Sequence, residues 1–219
     1  MATQIVGNVN SSTAVEVDVN TKAARVNIRP DDWGSLGFYS MAAASGTMAA
    51  GLSAASPIYS FRYGSANLAL VKKILFSAGN TATGFTAGII TVQTFVARSF
   101  TVSDTGGTSI TPTGNTNKKR TSMATTGLTD GRISSTGTLT AGTRTLDSNP
   151  ISSISTSIPA VAGTILMSPF PLFEARAGEY PLTLAQNEGF VIQATVPATG
   201  TWTFSVTVDW EEVPTTYWY

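Results

Sequence analysis

An all-β fold, an antiparallel sandwich or barrel, is what three features of this 219-residue sequence predict. The first is a period. Trp202, Phe204, Val206, Val208 and Trp210 alternate with Thr203, Ser205, Thr207 and Asp209, the two-residue repeat of a strand with one buried and one wet face. The second is the run just before it, where Phe190, Ile192, Ala194 and Val196 alternate with Val191, Gln193 and Thr195. Pro197-Ala198-Thr199-Gly200, rich in turn formers, joins the two runs, so they read as a hairpin whose apolar face needs a second layer to cover it. The third is the rest of the chain, which is divided into short β-compatible runs separated by turn residues.

In chain order, Ala14 to Val19 and Arg25 to Ile28 read as two short strands joined by a turn, and Pro30-Asp31-Asp32-Trp33-Gly34 breaks the pattern. Ser40 to Ser56 is small and weakly apolar; alanine favours a short helix while Gly46 and Gly51 oppose a long one, so a loop or short helix is expected. Pro57 to Tyr63 suits a strand with Tyr59, Phe61 and Tyr63 on one side. Leu68 to Phe76 suits another, with Leu70, Lys72, Ile74 and Phe76 sharing a face, and Asn80 to Thr86 is a turn. Ile89 to Val102 is apolar on both faces, as in a central or bent strand. Ser103 to Ile158 is rich in Ser, Thr and Gly, yet isolated apolar residues recur. A structureless loop of that length does not suit a compact domain, so extended excursions and short hairpins are expected, packing on the sandwich or reaching another subunit. Ile165 to Phe173 carries Pro169 and Pro171 and reads as an edge strand or arm. Tyr180 to Ala185 is a short strand, and Tyr217-Trp218-Tyr219 forms an aromatic run better suited to subunit contact than to solvent. One main domain over 1–219 is expected, with an arm at 1–13 and an insertion at 103–158.

Charged residues make up 12% of the chain, about half of the roughly 25% usual for soluble domains. Thirteen basic and thirteen acidic residues cancel, so little charge keeps copies apart, and much of the exterior is expected to be buried against other subunits. A neutral β protein with Ser/Thr-covered faces would have the same composition. There is no cysteine and no histidine, which removes disulfides, thiolate zinc sites and the Ser-His-Asp and Cys-His machineries. The start, MATQIVGNVNSST, lacks the pattern of a secretory signal, and no run approaches the roughly 20 apolar residues of a membrane span; synthesis inside the cell is expected.

The candidate motifs are weak. Lys118-Lys119-Arg120 is the only basic run, and without a wider basic stripe it suits a solvated or carboxylate-pairing loop better than phosphate contact. Glu16-x-Asp18-x-Asn20, Asp31-Asp32 and Glu211-Glu212 match no calcium-loop spacing and read as polar strand faces and turns. Glu174 with Glu179 would serve a glycosidase only across a cleft. Tyr59, Phe61, Tyr63, Trp202 and Trp210 could stack on sugars but alternate on strands as core residues do. No catalytic, cofactor or metal site emerges, and no enzyme activity is expected.

The segments VARSFTVSDTGGTSITPTG (Val96 to Gly114), KKRTSM (Lys118 to Met123), TLTAGTRTLDSNP (Thr138 to Pro150) and EYPLTLAQNEGFVIQATVPATGTWTFSVTVDWEEV (Glu179 to Val213) together resemble virion structural proteins of tailed bacteriophages, most of all the jelly-roll head decoration, or cement, group. The Ala/Gly-rich segment near 41–55 has no place in that pattern. The resemblance implies a jelly-roll sandwich that assembles, commonly as a homotrimer, on the outside of an icosahedral capsid and clamps subunits of the major capsid protein, with no cofactor, nucleic acid or membrane as partner. Tyr217, Trp218, Tyr219, Phe170 and Phe173 are the candidate subunit contacts. The alternative is a receptor- or carbohydrate-binding jelly roll of a virion appendage.

Overall fold

The computed structural model describes residues 36–217 apart from 50, 53, 55, 164 and 177–178, together with 16–17 and 24–25. Contacts divide the chain into two units, Met1–Trp33 and Gly34–Tyr219. In the first, β1 (Glu16–Val17) pairs antiparallel with β2 (Ala24–Arg25), which agrees with the two short strands expected there. The expected arm at 1–13 and the turn at 30–34 lie outside the described residues.

The second unit is a two-layer antiparallel sandwich. Its strands in chain order are β3 (Gly37–Ala44), β4 (Met48–Ala49), β5 (Ser56–Tyr63), β6 (Leu68–Asn80) and β7 (Gly88–Arg98). There follow β8 (Thr108–Ser109), β9 (Leu128–Ile133), β10 (Thr145–Leu146), β11 (Ser152–Ile158) and β12 (Ile165–Glu174), then β13 (Leu182–Leu184), β14 (Glu188–Thr195) and β15 (Thr201–Val213). One sheet runs β12-β6-β15-β3, with β13 beside β6 and β4 beside β15. The other runs β10-β7-β14-β5-β9-β8, with β11 beside β7.

The eight long strands nest from the outside inward. The first, β3, pairs with the last, β15; then β5 pairs with β14, β6 with β12, and β7 with β11. Cross-pairing of β6 with β15 and of β7 with β14 completes two four-stranded sheets. This is the strand order of a jelly roll. The Ser/Thr/Gly-rich stretch from 103 to 158 supplies the short strands β8, β9 and β10, which join the second sheet as excursions, and ends in β11, itself one of the eight long strands.

Three expectations are corrected. The runs at 190–196 and 202–210 are not a hairpin: β14 lies in one sheet between β5 and β7, and β15 lies in the other between β6 and β3. Two strands that are each apolar on one face can bury it by facing each other across the core as well as by sharing a sheet, and the second arrangement needs a third element to cover both. Gly200 makes the crossing possible. Its φ of 101° is open to glycine, and a Cβ there would lie 2.8 Å from the Gly84 carbonyl oxygen.

Ser40 to Ser56 is not a loop or helix throughout, because β3 takes Gly37–Ala44 and β4 takes Met48–Ala49. Tyr39 and Met41 point into the core and the strand pairs along β15 in unbroken register, so tertiary pairing overrides the helix propensity of alanine. Finally, Leu70 does not share a face with Ile74 and Phe76. The register with β15 passes from Lys73 to Val71, leaving Lys72 as a bulge that inverts the pleat. Leu70 therefore packs outside the main core, with Leu68, Val213 and Ala185.

Between the sheets, aromatic rings form a continuous path. Tyr39 stacks on Trp210 at 5.3 Å, Trp210 meets Phe61 edge-on at 5.2 Å, and Phe61 stacks on Phe190 at 5.0 Å, so one ring sequence links β3 and β15 to β5 and β14. The residues expected to be buried on β15 are buried, with Trp202, Val208 and Trp210 at 0% exposure.

Candidate interaction surface

The outward residues of the β12-β6-β15-β3 sheet line up in rows because the pairing is regular. Glu174, Lys73, Asp209 and Ser40 form one row; Pro171, Leu75, Thr207 and Ala42 the next; then come Ser77, Ser205 and Ala44, and last Gly79 and Thr203. The first row carries charge, and that charge is paired. Lys73 reaches Glu174 at 3.0 Å, and Lys119 reaches Asp209 at 3.8 Å while lying over the Phe38 ring. The rows beyond it are uncharged, and Ser77 and Ser205 hydrogen-bond each other at 2.7 Å rather than presenting free hydroxyls. Small side chains there leave an open groove of about 440 Å³, with Ala44, Ser77, Gly79, Thr203 and Ser205 along its floor and Met167 and Pro169 at one side.

The opposite outer face is uncharged along β11, β7 and β14, whereas its β5-β9 side carries Arg62, Asp130 and Arg132, the last two paired at 2.9 Å. Ile89, Thr91 and Gln93 on β7 stand beside Ser157, Ser155 and Ser153 on β11 and Thr195 and Gln193 on β14. Ile89 is 62% exposed, and Thr91 and Ser155 are hydrogen-bonded at 2.9 Å. The far end of this face is covered by the segments 100–104 and 142–147. Phe100 packs on Ala97 and Val191, the Arg144 guanidinium lies 5.2 Å from the Phe100 ring, and Arg144 pairs with the fully buried Asp104. Burial pushes the Arg144 guanidinium down to about 10.

Among the described residues, most remaining charge is also turned inward or paired. Lys72, set by the bulge, reaches the fully buried Glu211 at 3.0 Å, and Arg98 bridges Asp147 at 3.4 Å and Glu188 at 2.7 Å. Glu212 is 2% exposed and collects donors from the Gly127 amide at 2.9 Å, the Thr126 hydroxyl at 2.5 Å and the Trp210 indole at 3.2 Å. Burial holds its carboxyl above the usual carboxylate range, and these hydrogen bonds oppose that shift. The hydroxyls of Tyr39 and Tyr63 are pushed up by burial first and then by the charge of Glu212. The network fastens the segment before β9 to the rim of the sandwich. The same segment lies along the first half of the β3 edge, where Ser40 donates to the Asn117 carbonyl at 3.0 Å and Lys119 donates to the Phe38 carbonyl at 2.9 Å.

Among the candidate contacts, Phe170 sits on edge strand β12 and is 50% exposed, whereas Phe173 packs against the core. Their separation follows from the register shift between them, at Pro171/Phe173, and another shift precedes Phe170 at Met167/Phe170; the two prolines accompany both. Tyr217 closes a short 3-10 turn at Thr215–Tyr217, and Trp218 and Tyr219 lie outside the described residues. The basic run is not a patch: Lys118 donates to the Asn115 side chain and the Met123 carbonyl, and Lys119 pairs with Asp209. Glu174 is held by Lys73, while Glu179 accepts the Arg176 amide at 3.0 Å. Tyr59, Phe61, Tyr63, Trp202 and Trp210 are all at 1% exposure or less, so they are core and not a sugar platform. Among the described residues, no group of three or more His, Cys, Asp or Glu could hold a metal ion.

Sequence reasoning missed Glu211 and Glu212 as interior groups, and missed the Asp104–Arg144 pair altogether. A signal for the first two was present: they follow Trp210 directly in a strand whose apolar period was already clear. No protein-family model matches the chain, and no curated protein matches it.

Proposed function

We propose that this chain is a structural protein of a tailed-bacteriophage virion, a decoration or cement protein that binds the outer surface of the capsid and holds neighbouring capsid subunits together. The observation that carries this reading is the distribution of charge. Over much of their area both sheets turn uncharged Ser, Thr, Ala, Gln and Gly outward, and among the described residues most of the acids and bases, those on these faces included, are in pairs or buried. Such faces can come into flat contact with like or unlike subunits without stranding charge, and apolar area buried there contributes about 25 cal/mol per Å² before association costs. The jelly-roll strand order is compatible with the reading and is shared by capsid and lectin domains, so it argues by analogy only. Half-exposed Phe170 on the β12 edge supplies an apolar anchor.

The test is the stoichiometry and position of this chain in purified particles. Copies in the hundreds, arranged as trimers on the shell exterior in a low-resolution particle map, are expected. A few copies confined to an appendage would replace this reading with a receptor-binding one, and absence from particles would end both.

A further inference from the structure

Among the described residues, nothing pairs with the second half of the β3 edge. Along β3 the even-numbered residues turn their amide and carbonyl away from β15: the Phe38 amide donates to the Met123 sulfur and its carbonyl accepts from Lys119, both Ser40 groups are used on Asn117, and the neighbouring segment turns away at Thr113–Thr116. Ala42 and Ala44 are next in the alternation, both are exposed, and no described residue bonds their outward backbone groups. Ala44 also belongs to the groove of about 440 Å³ described above. An unpaired stretch of edge thus lies directly beside a hollow of small, uncharged side chains, an arrangement suited to a short extended segment with a large aromatic side chain.

The sequence contains one such segment, Tyr217-Trp218-Tyr219. It cannot serve its own groove. Ser205, on the groove floor, lies eight residues before Val213 along β15, about 26 Å at ~3.3 Å per residue. Tyr219 is six residues beyond Val213, at most about 21 Å even if fully extended, and Thr215–Tyr217 shorten that further by winding as a 3-10 turn at ~2 Å per residue. A neighbouring copy has no such limit.

We propose that Tyr217–Tyr219 of one copy dock on a second copy, adding to the open β3 edge at Ala42–Ala44 and setting an aromatic ring in the groove over Ala44 and Ser205. The contact is heterologous, one surface meeting a different one, so repeating it closes a ring or extends a filament, and a three-membered ring gives the trimer. This rests on the assembly reading above and specifies its contact.

Two full-length variants test it. One replaces Tyr217, Trp218 and Tyr219 with serine and keeps the groove. The other, Ala44→Asp, keeps the aromatic run and places a charge in the groove at an exposed position. Sedimentation velocity is expected to show the parent as an oligomer and each variant alone as single chains, with association weakened about a hundredfold or more. An equimolar mixture is expected to form a one-to-one dimer that grows no further, since one aromatic run and one groove remain intact. Circular dichroism checks that both variants fold, and Thr203→Arg serves as a second groove block should Ala44→Asp fail to. An oligomeric parent with equally oligomeric groove variants overturns the docking while leaving the assembly reading in place. So does a mixture that stays as single chains. A parent that is a single chain at every concentration overturns the docking outright and removes the support of solution assembly from the wider reading.

Discussion

Glu212 shows how a residue that looks like surface in the sequence becomes an interior group. It lies next to Glu211 near the end of a strand, yet the Gly127 amide, the Thr126 hydroxyl and the Trp210 indole close over it. Burial raises its pKa, so the folded state holds this proton more tightly than the unfolded chain does. Stability from this group is therefore fully present below the unfolded value and is lost as pH rises through the raised folded value. The expected outcome is that Glu212→Gln, which cannot ionise, flattens that fall. Denaturant midpoints of parent and variant should converge at acid pH and separate toward neutral pH, with the variant the less pH-dependent. Parallel curves would mean that the carboxyl ionises as freely in the fold as out of it. The apolar period running up to Trp210 marks its burial, but the donors at 126–127 are 85 or more positions away and leave no local trace.

At the scale of elements, the bulge in β6 has the largest consequence. By inserting Lys72 between two correctly pleated halves, it lets Val71 and Ala69 face the core while Leu70 and Leu68 build a second, outer cluster with Val213. It also delivers Lys72 to Glu211, whose side chain is fully buried. Lys72→Met should cost about 3–5 kcal/mol by removing the Lys72 ammonium from beside a buried carboxylate, and adding Glu211→Gln should recover much of that loss. Chemical denaturation of the four-member cycle reads the coupling, and additive losses would show that the two side chains act separately. The strand itself was legible from Leu68 to Phe76, since its apolar content is plain. The bulge was not, because an insertion in a pleat is defined only against the partner strand.

For the molecule as a whole, the two outer faces are mostly uncharged, and charges they carry, such as Lys73–Glu174 and Arg132–Asp130, are paired with each other. Assembly through such faces should respond weakly to salt, because screening acts on exposed charges and the Debye length falls from about 10 Å at 0.1 M to about 3 Å at 1 M. The oligomer mass measured by light scattering is expected to stay constant between those concentrations. Dissociation at high salt would place the exposed ends of pairs such as Lys73–Glu174 or Arg98–Asp147 in the interface instead.

What this sequence settled unaided was the class of its elements: strands, two layers, and the buried face of β15, all consequences of a side-chain period that depends only on near neighbours along the chain. It was blind to which sheet each strand enters. β14 and β15 are adjacent in sequence and opposed in space, and the alanine-rich β3 is a strand because β15 offers it a ladder. Those outcomes, and the burial of Glu211, Glu212 and Asp104, depend on partners brought from distant positions, and only the tertiary structure decides them.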